Sequence, residues 1–181
     1  MAANWTDFVS GDVLTAAQLN GVLDNFKDIA IFNETQASGT QGGTNVAATW
    51  TKRTLNTTVV NNIAGCTLTS SVISLPAGTY NARASTIAKS GSSQSPDAFR
   101  HRLRNTTAGT NLGLTTSGYN GAANNDILPA EIVTVFTLAA TSNIEVQYYI
   151  TQVIATVGLG QASTIASTDE LYTQIQITRI A

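Results

Sequence analysis

The chain has 181 residues, and charged residues make up 11% of it, less than half the roughly 25% of an ordinary soluble domain. A formal net charge of −2 gives no general drive toward nucleic acid. One Cys and one His exclude an intrachain disulfide and, within one protomer, a zinc site of the usual kind; 43% hydrophobic residues with so little charge exclude extensive disorder.

Residues 1–14 carry Trp5 and Phe8 three apart on a segment without clear periodicity. No basic n-region with an apolar run follows Met1, and no stretch approaches the ~20 apolar residues of a membrane span, so neither secretion nor a membrane is expected. Thr15 and Gln18 form a capping box, and Leu19, Val22, Leu23, Phe26 and Ala30 then recur at helical spacing, which predicts a helix over about 15–31. Residues 33–48, with Gly39, Gly42 and Gly43 among small polar neighbours, read as a linker. The layout expected is an anchoring arm and helix over 1–32, a glycine-rich linker over 33–48 and a head domain over 49–181.

From Trp50 the hydrophobic period becomes two. Strands are expected at 49–57, 72–75, 79–89, 99–104, 110–119, 131–138, 143–155 and 170–180, about eight to ten in all, with turns at Pro76-Ala77-Gly78 and Thr106-Thr107-Ala108-Gly109. Thr, the commonest residue at 28, suits a pleated surface, and the 15 Asn and 14 Gly suit tight turns. No helical pattern separates the strands, so a parallel βαβ fold is excluded and a mainly β, antiparallel jelly-roll sandwich is expected. A polar, weakly charged surface loses little on being buried against copies of itself. Tyr148, Tyr149 and Tyr172, too many for one small sandwich face, are expected to pack along a three-fold axis.

The chemistry on offer is sparse. His101 shares a strand face with Phe99 and Leu103 and is expected in the core or an interface. Cys66, between Gly65 and Thr67, reads as a small buried hydrophobe. The carboxylates form no pair of the kind hydrolysis needs, so no enzyme activity, cofactor or metal is expected. Arg100, Arg102 and Arg104 line one face of a strand at about 6.6 Å intervals, with Arg83 expected on a nearby strand. They read as a structural interface stripe paired with Glu131, Glu145 or Asp97, or as a ligand stripe for acidic glycan or phosphate. No aromatic residue of the strand is interleaved on their face, which disfavours single-stranded nucleic acid.

Residues 5–20, WTDFVSGDVLTAAQLN, resemble the opening of many tailed-bacteriophage structural proteins. Residues 39–44 and 50–57, LPAGTYNARAS at 75–85, RHRLRN at 100–105 and LYTQIQI at 171–177 resemble the head domain of such proteins, a tumour-necrosis-factor-like jelly roll. The resemblance implies a homotrimeric virion protein with no catalytic residues. The N-terminal arm, through Trp5, Phe8, Leu19, Val22, Leu23 and Phe26, would bind the major capsid protein or another virion protein. The absence of heptads and Gly-x-y repeats between arm and head argues against a long shaft. A capsid decoration protein, cement or short head fibre, is therefore expected. The alternative is a tail-associated fibre that adsorbs to host surface glycan.

Overall fold

The computed structural model describes Val13, Thr15, Ala16 and residues 28–89, 97–114, 118–120, 127–165 and 167–180. Within them run twelve strands: β1 (Ile29–Gln36), β2 (Thr51–Lys52), β3 (Thr57–Asn61), β4 (Thr67–Thr69), β5 (Val72–Leu75) and β6 (Gly78–Lys89). There follow β7 (Asp97–Asn105), β8 (Thr110–Leu114), β9 (Gly118–Asn120), β10 (Ile127–Leu138), β11 (Ser142–Ile150) and β12 (Glu170–Arg179). A five-stranded sheet has the order β10-β6-β12-β1-β3. A seven-stranded sheet runs β4-β5-β11-β7-β8, with β2 added to β11 and β9 to β7. Every strand pair is antiparallel, so the expected mainly β sandwich is what the chain forms.

The inner faces follow the period of two. Ala30, Phe32, Ala82, Ala84, Ile175 and Ile177 of one sheet meet Ile73, Leu75, Leu103, Ile144 and Val146 of the other in the main core. A second cluster, around Phe99, Tyr148, Ile150, Ile154 and Leu159, fills a smaller volume. His101 and Cys66 are both buried, as expected.

Several expectations need correction. The helix predicted to reach residue 31 cannot include 29–31, which belong to β1; Leu19, Val22, Leu23 and Phe26, like Trp5 and Phe8, lie outside the described residues. Ala30 is buried because it alternates with Phe32, not because it ends a helical stripe, and the β-branched Ile29 and Ile31 favour that extended backbone. The boundary at residue 32 therefore cuts through a strand paired on both sides, Phe32 facing Ile175 of β12 and Thr58 of β3.

The rest of the expected linker is fixed to the body. The Gly42 and Gly43 N–H groups donate to the Gly160 and Thr156 carbonyls at 2.9 Å each, and Leu159 N–H donates back to Gly43 at 3.1 Å. Asn45, 2% exposed, donates to the Gln152 carbonyl and accepts from Ile154 N–H, both at 2.7 Å. A Cβ at Gly42 would come within 2.7 Å of the Leu159 backbone, so glycine here serves close approach rather than slack. The strand expected over 143–155 stops at Ile150, because residues 151–165 turn away to make this interlock.

The strand expected over 49–57 is also broken. β2 belongs to the seven-stranded sheet and β3 to the five-stranded one, so residues 53–56 carry the chain from one to the other. Tyr148 and Tyr172, each 2% exposed, are covered within one chain and need no three-fold axis.

Candidate interaction surfaces

Register builds the outer face of the seven-stranded sheet. Lys52, Gln147, Arg102 and Leu114 stand in one row across β2, β11, β7 and β8. Glu145 and Arg104 form the row to one side, and Tyr149 and Arg100 the row to the other. The Arg102 guanidinium lies over the Trp50 ring, 4.0 Å from its centroid. Its Nε donates to Gln147 Oε1 at 2.7 Å, and Gln147 Nε2 donates to Glu145 Oε2 at 2.6 Å. Trp50 in turn packs on Tyr149, with centroids 5.5 Å apart and rings inclined at 53°. Arg104 Nη1 donates to Asn111 Oδ1 at 3.0 Å. Partial burial, and next the charge of Arg104, pull the Arg102 pKa down, while Glu145 opposes them. The group stays protonated, as guanidinium does in proteins.

The three expected arginines of β7 thus share one face, and the structure adds what the strand alone did not show. Trp50 and Tyr149 come to that face from outside β7, so aromatic rings do stand among the cations. Spacing along one strand cannot reveal cross-strand neighbours, which depend on the register of β11 against β7.

Arg83 does not join them. It lies on β6, in the other sheet, where it pairs with Glu131 at 2.8 Å, both side chains more than half exposed. Among the described residues of this outer face the further charge is Lys89, at the end of β6, whose Nζ donates to Gln161 Oε1 at 2.6 Å. Ser85, Gln174 and Gln176 line a shallow polar depression with the pair, and Val133 and Val135 of β10 stand 69% and 62% exposed beside it.

A third constellation is buried. Residues 53–56 cross between the sheets, and Arg53 is 0% exposed against Glu34 at 1%, their Nε–Oε2 distance 2.7 Å. Arg53 Nη1 and Nη2 donate to the Ile87 and Leu159 carbonyls at 3.3 and 2.8 Å, and Thr173 Oγ1 donates to Glu34 at 2.8 Å. Burial, then the Arg53 charge, push His101 down to about 3, so it is neutral in the fold. Burial alone pushes the Cys66 thiol up to about 11, which removes it as a nucleophile. The Arg53–Glu34 pair is not visible in the sequence, where the two residues are polar members of segments that read as a strand and a linker. Among the described residues no three His, Cys, Asp or Glu side chains gather where they could hold a metal ion.

Solved structures share this architecture. The chain is similar to murine APRIL at pH 5.0, with 10% identity over 83% of this chain and 98% of that one, TM-score 0.51. It is also similar to the globular domain of zebrafish complement 1qA, with 14% identity over 86% of this chain and 98% of that one, TM-score 0.50. The fold is a jelly roll. At such low identity the likeness carries the fold and nothing finer. No family profile matches the chain, and no curated protein matches it in sequence.

Proposed function

We propose that the chain is a structural protein of a tailed-bacteriophage virion: a homotrimeric jelly-roll head that decorates the capsid through residues N-terminal to β1. The observation that carries this reading is the order of two features. A GDVLTAAQLN segment at 11–20 stands just ahead of a jelly roll whose first strand begins at Ile29. Trp5, Phe8, Leu19, Val22, Leu23 and Phe26 are the anchoring side chains, and fully burying each is worth roughly 1.5–3 kcal/mol. The partner is the major capsid protein or another virion protein, and no catalytic residue or cofactor is assigned.

The weakly charged outer face of the five-stranded sheet supports self-association. Its ion pair is internal, the side chains beside that pair are the Ser85 hydroxyl and the Gln174 and Gln176 amides, and two exposed valines stand on one strand. Such a face is dehydrated cheaply against copies of itself. A tail-associated fibre is the second reading, favoured by the cationic aromatic face on the opposite sheet.

The test adds protein to virions lacking it. The full chain should load, and a chain starting at Asp28, which keeps every described strand, should fold but fail to load. Loading of the shortened chain at full occupancy would move attachment to the jelly roll and end the arm reading. Many copies over the shell indicate decoration; a few at the tail indicate the fibre.

A further inference from the structure

The outer face of the seven-stranded sheet concentrates positive charge on a chain of formal net charge −2. Its described side chains include Lys52, Arg100, Arg102 and Arg104 but one carboxylate, Glu145, on the strands that build it. Arg102 and Arg104 stand on the same side of β7, one strand repeat of about 6.6 Å apart, so their charges act together on an anion at this face. The cations stand beside two aromatic rings that are half-buried and held in place. Trp50 packs against both Arg102 and Tyr149, and Arg102 is fixed by Gln147, which Glu145 holds. A planar guanidinium suits a carboxylate, an aromatic face or edge suits the apolar side of a sugar ring, and an exposed amide such as Asn111 suits hydroxyls.

We propose that this face binds an acidic, uronate-bearing polysaccharide, its sugar rings against Trp50 and Tyr149 and its carboxylates against Arg102 and Arg104. The rings are inclined at 53°, and one face of Trp50 is taken by Arg102, so they offer no run of parallel platforms for successive nucleobases. Glu145 within the face opposes a densely charged phosphate chain but accepts a sugar hydroxyl. The proposal stands on this face alone, so it survives or fails independently of the attachment reading.

The experiment titrates the full-length protein with polygalacturonate by calorimetry at low and physiological salt. Dextran serves as the neutral polysaccharide, inorganic polyphosphate as charge without a sugar ring, and single-stranded DNA as the nucleic acid. The protein should bind polygalacturonate, more weakly as salt rises, and should bind the other three less well. Trp50→Ala and Arg102→Ala should each weaken binding about tenfold or more, and Trp50→Phe should keep most of it. Arg83→Ala, on the other sheet, should change it less than about twofold. Lys52→Gln, at an exposed position, should weaken binding and flatten its salt dependence even if Trp50→Ala fails to fold. The proposal is overturned if the wild-type protein binds no polygalacturonate, or binds polyphosphate or DNA as tightly. It is equally overturned if folded Arg102→Ala and Lys52→Gln bind polygalacturonate as the wild type does.

Discussion

A guanidinium and a carboxylate that are almost wholly dehydrated each cost several kcal/mol, and only good geometry with further hydrogen bonds offsets that. Arg53 and Glu34 meet the condition, since the guanidinium has two carbonyls besides the carboxylate and Glu34 has Thr173. Removing one partner leaves the other charge stranded, so Arg53→Met and Glu34→Met should each lower unfolding free energy by about 3–5 kcal/mol in urea titrations. The double variant should lose less than the sum of the two. His101 makes the fold acid-sensitive in a definable window. Its folded pKa of about 3 lies below the ordinary 6.5, so the unfolded chain binds a proton that the native chain does not. Its contribution to stability is full above pH 6.5 and is lost as pH falls toward 3, at up to roughly 1.4 kcal/mol per pH unit. His101→Phe should flatten denaturation midpoints measured through that range, and an unchanged slope would show that carboxylates alone set it.

Turns show what local chemistry reveals and what it hides. The β7–β8 hairpin is legible because Thr106–Gly109 ends on a glycine at φ 68°, with Asn105 Oδ1 accepting from Ala108 N–H at 2.9 Å. The β4–β5 hairpin is hidden, because Ser70 and Ser71 adopt φ 48° and 64° in a two-residue turn where Asn-Gly is the usual signal. Ser70→Asn should therefore raise stability by about 0.5 kcal/mol in thermal melts, since Asn tolerates that conformation better. The long strands β6, β7, β10 and β12 are legible from alternation, which one buried face enforces. β1 is not, because Glu34 occupies an inward position and its polar neighbours imitate a linker. The arginine stripe is legible within one strand, whereas Trp50 and Tyr149 join it only through pairing across strands.

At the scale of the whole molecule the two outer faces differ, one weakly charged with exposed valines and one cationic with aromatics. If this face is the self-association surface, Val133→Lys and Val135→Lys bury charges without partners in the contact between copies. Light scattering at micromolar concentration should then change from trimer to monomer, with the melting curve of the sandwich retained apart from the lost association. The same substitutions on a protein that is already monomeric would change nothing. β1 lies between β3 and β12, and 139 residues separate Glu34 from its partner Thr173. Closing a loop of that length costs about 4 kcal/mol of chain entropy before any contact across it is gained. On the ribosome β1 is made early and must wait, one edge unpaired, until β12 emerges. Folding should be slow, with formation of the β1–β12 pair late, and the nascent chain should depend on chaperone protection of that open edge until it closes.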